Sequence, residues 1–221
     1  KTRELRAGAL AATPPMGWNS YDCFGDSVTE AEVLANAKYI AEKMAWCGWR
    51  YAVVDYRWYD AEATALISGL KTEGNVTDEF GRFIPAPNRF PSAADGKGFR
   101  PLADQVHALG LQFGIHIMRG IARRSVEANT PIEGSTFHAK DAADTGSTCS
   151  WNPDCYGVRG DTPAGQAWYD SLFRQYAAWG VDYVKVDDLS QPYSAHEVEA
   201  IRRAIDKCGR PMVFSTSPGE T

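Results

Sequence analysis

The feature that most constrains the fold is an alternation. Five short apolar runs take turns with helical patterns, and each run is β-rich and bounded by Gly or Pro. Met16–Ser20 follows the breaker Thr13-Pro14-Pro15. The other four runs are Tyr51–Tyr56, Leu111–Met118, Val181–Asp187 and Pro211–Ser215. Between them lie amphipathic stretches from Thr29 to about Trp46, Phe99–Leu109, Pro163–Trp179 and Ser194–Cys208. Thr29 with Glu32 three residues on reads as a capping box, and Gly48, Gly110, Gly180 and Gly209 stand where the helical patterns stop. Such alternation predicts parallel strands joined by right-handed crossovers.

Two polar excursions interrupt the pattern, at about 60–98 and 119–162, and both follow the C-terminal ends of strands. That is the face on which an α/β barrel carries its functional loops. A doubly wound sheet also fits the alternation, but no Gly-rich phosphate turn follows the first strand. The expected class is α/β, of the (β/α)8 TIM-barrel type. A full barrel takes ~250 residues, and this chain of 221 residues reaches only a fifth strand. Residues 1–221 therefore read as one catalytic barrel domain, its N-terminal portion, strands 1 to 5.

Charge excludes several partners. Lys and Arg number 23 against 28 Asp and Glu, a net of −5, and no basic tract exceeds a pair (Arg123–Arg124, Arg202–Arg203). Nucleic acid and anionic membrane surfaces are not expected partners. No uncharged apolar run approaches the ~18 residues of a membrane span. Five cysteines do not form a disulfide scaffold; Cys149 and Cys155 close a short loop and could pair, while the rest read as free thiols. No cysteine or histidine cluster has zinc spacing. The chain opens at Lys1, without Met or a hydrophobic signal region, as a processed or trimmed chain would.

Several polar residues sit where they are expensive. In Tyr183-Val184-Lys185-Val186-Asp187, strand alternation puts Lys185 and Asp187 on one face and the valines on the other. In a barrel the valine face meets the helices, so Lys185 and Asp187 point into the mouth. They read either as a structural ion pair or as a site, and the desolvation cost of a buried pair favours the site. A nearby ammonium also keeps Asp187 ionised, as a nucleophile must be. Asp55 ends the second strand and His116 lies inside the third, so three successive strands deliver polar groups to one rim. Trp18, Tyr21, Trp58, Tyr59 and Trp151 are expected to cluster beside them. Aromatics beside carboxylates suit a carbohydrate, with its apolar C–H faces and many hydroxyls.

At this point the residues carry a family resemblance. Thr13-Pro14-Pro15-Met16-Gly17-Trp18-Asn19-Ser20-Tyr21 resembles the opening strand of glycoside hydrolase family 27, which holds α-galactosidases and α-N-acetylgalactosaminidases. Tyr51–Trp58 resembles its second strand, Phe83–Pro91 its connecting loop, and Pro101–His116 the next helix and strand. Trp179–Asp187 resembles the strand that carries the nucleophile. By that resemblance Asp187 is the nucleophile, Lys185 and Asp55 bind the sugar, and His116 stands where the family usually has Tyr. Tyr21 stands where a Trp lines the sugar pocket, and Tyr56 replaces the second Asp of the second strand. Ser217 stands where α-galactosidases commonly carry a Glu near the sugar's 2-position and so leaves room for an N-acetyl group, a space that Glu220 three residues later could refill.

The implied chemistry is a retaining exo-glycosidase, with α-D-galactosides the first substrate and α-N-acetylgalactosaminides the alternative. The acid/base belongs to the family's sixth strand, so no residue of this chain is assigned that role. The implied partner is an oligosaccharide or glycoconjugate, and a homo-oligomer stays open. No cofactor or metal is implied, and the implied location is secreted or periplasmic. In a eukaryotic secretory host Asn75-Val76-Thr77 would be a glycosylation sequon. Two other readings stay open: a non-catalytic carbohydrate-binding half-barrel, and a metal-dependent barrel using Asp55, His116, Asp187 and Asp188. The second lacks a His-x-His on its first strand.

Overall fold

The computed structural model describes residues 10–63 and 72–217. Its strands are β1 (Gly17–Asn19), β2 (Tyr51–Val54), β3 (Gln112–Met118), β4 (Ile121–Ala122), β5 (Ala143–Thr148), β6 (Cys155–Val158), β7 (Tyr183–Asp187) and β8 (Val213–Ser217). Its helices are α1 (Tyr21–Phe24), α2 (Glu30–Lys43), α3 (Arg100–Ala108), α4 (Arg123–Ala128), α5 (Ala139–Ala142), α6 (Pro163–Trp179) and α7 (Ala195–Lys207). All five predicted strands and all four predicted helices form, within a few residues of their expected ends.

The five predicted strands make one parallel sheet in the order β1-β2-β3-β7-β8. Each strand lies beside its predecessor in that series. A doubly wound sheet would reverse direction at a switch point, so this order is that of a partial barrel. Local chemistry explains the helix ends. Thr29 and Glu32 exchange hydrogen bonds at the start of α2, the capping box expected from sequence. Thr162 caps α6 with Pro163 at its first position, and Gly180 closes it at φ 81°, a conformation that side chains disfavour.

The core lies between the sheet and its helices. Val184 and Val186 are fully buried on the helix side, with Phe113 and Ile115 of β3 and Leu102 of α3. Lys185 and Asp187 alternate to the other face, as the strand period requires. No helix among the described residues is long and apolar enough to cross a membrane.

The excursion at 119–162 is more ordered than its polar composition suggests. It holds α4, α5 and a separate three-stranded antiparallel sheet in the order β4-β6-β5. Runs of two to six residues with an irregular register between Asp144 and Thr148 leave no clean alternation to read. All five cysteines are free thiols, so the pairing considered for Cys149 and Cys155 is absent. Asn75 is 3% exposed with its amide on Asp154, which puts the sequon out of reach of modification.

Candidate active site

At the C-terminal end of the parallel sheet is a cavity of about 380 Å³ lined by Tyr21, Asp55, Tyr56, Trp151, Lys185 and Asp187. Three polar residues from β7 and the end of β2 thus meet there with three aromatics. Two other candidates take different places. His116 is fully buried behind the lining, and Ser217 ends β8 in register with Asp187. Of the aromatics grouped from sequence, Tyr21 and Trp151 do line the cavity. Trp58 and Tyr59 do not: Trp58 packs edge-on against Phe99 and Trp179, and Tyr59 stacks on Phe83 in the core. Trp18 turns its ring to Phe24.

Asp55 is 1% exposed and hydrogen-bonded on both carboxylate oxygens. Its Oδ2 accepts from Asn19 Nδ2 at 2.5 Å and from Lys185 Nζ at 3.1 Å, while its Oδ1 accepts from the Tyr56 N–H at 2.8 Å. The backbone N–H of Asp55 donates to Ser20 Oγ. Burial alone would raise its pKa, but the attraction of His116 and Lys185 and the Asn19 hydrogen bond outweigh it and hold the carboxyl below its ordinary value. The partner of Lys185 is therefore Asp55, two strands away, rather than Asp187 on its own strand.

Asp187 is the more accessible carboxylate, with 22% of its side chain exposed. His116 Nε2 lies 3.2 Å from Oδ2, and the Asp188 N–H donates to Oδ1 at 3.2 Å. Burial pushes this pKa up too, but the His116 hydrogen bond and attraction, then Lys185, bring it below the ordinary value. His116 sits edge-on to Tyr56, its carbonyl accepts from Trp58 Nε1 at 2.7 Å, and its Nδ1 has no hydrogen-bond partner among the described residues.

Behind Tyr56 is a buried network that the sequence did not reveal. Asn152 Nδ2 donates to the Tyr56 hydroxyl at 2.6 Å and to Asp154 Oδ2 at 3.1 Å. Asp154 also accepts from Tyr59 and Asn75, and lies 3.4 Å from Arg57 Nε. A weak signal existed in Asn152-Pro153-Asp154, a turn sequence beside Trp151. Asp188, considered above as a metal ligand with Asp55, His116 and Asp187, instead pairs with Arg119 at 3.0 Å. Among the described residues no group of three or more His, Cys, Asp or Glu is placed to hold a metal ion.

An incomplete parallel barrel with a carboxylate exposed in an aromatic-lined cavity at its C-terminal rim has the architecture of a glycoside hydrolase catalytic domain. The comparisons narrow that class. No protein-family model matches the chain. α-Galactosidase A of Cellvibrio japonicus is 34% identical over 93% of the chain and 38% of its own length. A family 27 β-L-arabinopyranosidase of Geobacillus stearothermophilus is 55% identical with a TM-score of 0.90, over 95% of this chain and 49% of that one. A Bacillus halodurans protein provisionally named α-N-acetylgalactosaminidase is 51% identical with a TM-score of 0.88, over 98% of this chain and 50% of that one. The chain is thus related over nearly its whole length to glycoside hydrolase family 27, and it matches the N-terminal part of those catalytic barrels. It spans from about two-fifths to half the length of these relatives.

Proposed function

We propose that this chain supplies the nucleophile and sugar-binding half of a retaining exo-glycosidase acting on terminal α-D-galactosides. The observation that carries the reading is Asp187: ionised, held on both oxygens, and exposed in a cavity whose walls are aromatic. In this reading one carboxylate oxygen of Asp187 attacks the anomeric carbon as the glycosidic bond breaks, giving a glycosyl-enzyme. A second carboxyl protonates the leaving oxygen and then activates the water that releases the sugar. Asp55 is unsuited to that second role. Its pKa is depressed, so it holds no proton to give, while Oδ1, with its bond from the Tyr56 N–H, retains a lone pair for a sugar hydroxyl. We assign the acid/base to the part of the barrel that the relatives carry beyond the matched region.

The test is hydrolysis of p-nitrophenyl α-D-galactoside by the complete protein, with the anomer followed by NMR. The expected first product is the α-anomer. A β-anomer, or no turnover, overturns the proposal.

Tyr56 favours a second substrate reading. It stands where a carboxylate would grip the O4/O6 side of galactose, and its ring is 4% exposed, locked by Asn152. β-L-Arabinopyranose is the galactose ring without the C6 hydroxymethyl group, and a 55% identical relative is a β-L-arabinopyranosidase. A kcat/KM ratio that favours the pentoside supports this reading. A Tyr56→Asp variant that leaves the ratio unchanged overturns it.

A further inference from the structure

Asp187 is the last residue of its strand, and something beyond the strand must fix the direction of its carboxylate. Asp188 follows with φ 65°, a left-handed conformation that a residue with a Cβ rarely takes. That turn swings the Asp188 N–H back onto Asp187 Oδ1. Arg119, the first residue after β3, holds the turn at several points. Its own N–H donates to the Asp187 carbonyl at 3.1 Å. Its Nε donates to the Asp188 carbonyl at 2.5 Å and lies 3.0 Å from the Asp188 carboxylate. Its Nη1 donates to Glu197 Oε1 at 2.8 Å and to Ser147 Oγ at 3.0 Å.

The anchor is deep. Arg119 is 3% exposed and Glu197 is fully buried, and Glu197 also accepts from the Tyr169 hydroxyl. Tyr169 in turn accepts from the Gly120 N–H at 3.0 Å. A buried cation facing two carboxylates is poor stabilisation for its desolvation cost. Neither Arg119 nor Glu197 lines the cavity, so direct contact with a sugar there does not account for them.

We propose that Arg119 is a positioning residue for the reaction: by clamping the Asp188 turn to Glu197, it aims the Asp187 carboxylate at the substrate. The proposal rests on the reading of Asp187 as nucleophile. A guanidinium is required because its planar fork spans several acceptors at once, which an ammonium cannot do.

The experiment measures kcat and KM of the complete protein on p-nitrophenyl α-D-galactoside, with thermal melts as a check on folding. Arg119→Lys keeps the charge and loses the fork; it should lower kcat about thirtyfold or more while KM stays within about threefold. A folded Arg119→Lys protein with kcat within threefold of wild type, or with a loss confined to KM, overturns the proposal. Asp188→Gly and Asp188→Ala keep it testable if the lysine variant fails to fold. Both lack the carboxylate, but only glycine takes φ 65° without strain, so Asp188→Gly should exceed Asp188→Ala in kcat about tenfold. Equal values overturn the proposal. A wild type without turnover overturns the nucleophile reading and this inference together, whereas an active wild type with unaffected variants overturns this inference alone.

Discussion

Lys185 reaches past the neighbouring strand to Asp55, Nζ to Oδ2 at 3.1 Å, while Asp187 on its own strand pairs with His116. In strand order β3 lies between β2 and β7, so the ion pair spans two strand spacings across the barrel mouth. The two carboxylates of the cavity thus have separate direct contacts but share the attraction of His116 and Lys185, and each is biased toward the ionised form.

Replacing Asp187 by Asn should leave the pocket intact and remove the nucleophile. Turnover of the complete protein should fall about a thousandfold or more, with galactose affinity within an order of magnitude by calorimetry. A variant that keeps a tenth of kcat excludes Asp187 from that role.

The ion pair makes an asymmetric stability prediction. Lys185→Met leaves Asp55, 1% exposed, without its ion-pair contact, and should destabilise by about 3 kcal/mol. Lys185 is itself a quarter exposed, which places the loss at the low end of the range for buried pairs. Asp55→Asn removes the charge and keeps the shape, so it should cost less. Urea midpoints of the two variants decide, and equal losses contradict the argument.

His116 sets a pH prediction. Asp187 and Asp55 both have folded pKa values below their ordinary ones. The stability they contribute is complete above about pH 4, the unfolded carboxylate range, and is lost as pH falls through the folded values. The acid limb of kcat/KM assigned to Asp187 should accordingly lie below about pH 4. His116→Phe removes the Nε2 contact and should raise that limb toward the ordinary carboxylate value. An unmoved limb would separate His116 from the ionisation of Asp187.

Ser217 tests the reading of the sugar's 2-position. It ends β8 with its Cα paired to that of Asp187, whereas Glu220 lies outside the described residues. Ser217→Glu should lower kcat/KM on p-nitrophenyl α-N-acetylgalactosaminide relative to the α-galactoside, by about tenfold or more. If the ratio does not move, β8 does not read that position.

The sequence made the strand-borne part of the site legible for a simple reason. A period of two assigns Lys185 and Asp187 to one face from spacing alone, and the Gly and Pro punctuation fixes where each strand ends. Asp55, at the end of its strand, and Tyr21, among the aromatics, were legible as well, and family likeness added Tyr56 and Ser217. Pairing was another matter: which carboxylate Lys185 meets depends on barrel curvature and side-chain reach, which spacing along one strand does not encode. Trp58 and Tyr59 misled because they follow Asp55 so closely; the chain turns there, and both rings fall into the core against Phe99 and Phe83. The Arg119–Asp188–Glu197 clamp joins residues up to 78 positions apart, with no motif to mark it.

Asp154 has a consequence for how such a pocket changes over time. It takes hydrogen bonds from Tyr59 and Asn75 in one excursion and from Asn152 in the other, and Asn152 in turn holds the hydroxyl of Tyr56. Asn75 and Asp154 are 79 residues apart, yet neither excursion is satisfied without the other. Loops of this kind are usually treated as interchangeable parts, to be grafted one at a time onto a constant barrel. Here exchanging the first alone would leave the buried Asp154 short of two donors, and exchanging the second alone would leave the Tyr59 hydroxyl and the Asn75 amide without their acceptor. New specificities should therefore arise by paired inheritance of both segments, or by single changes at their rims such as Trp151.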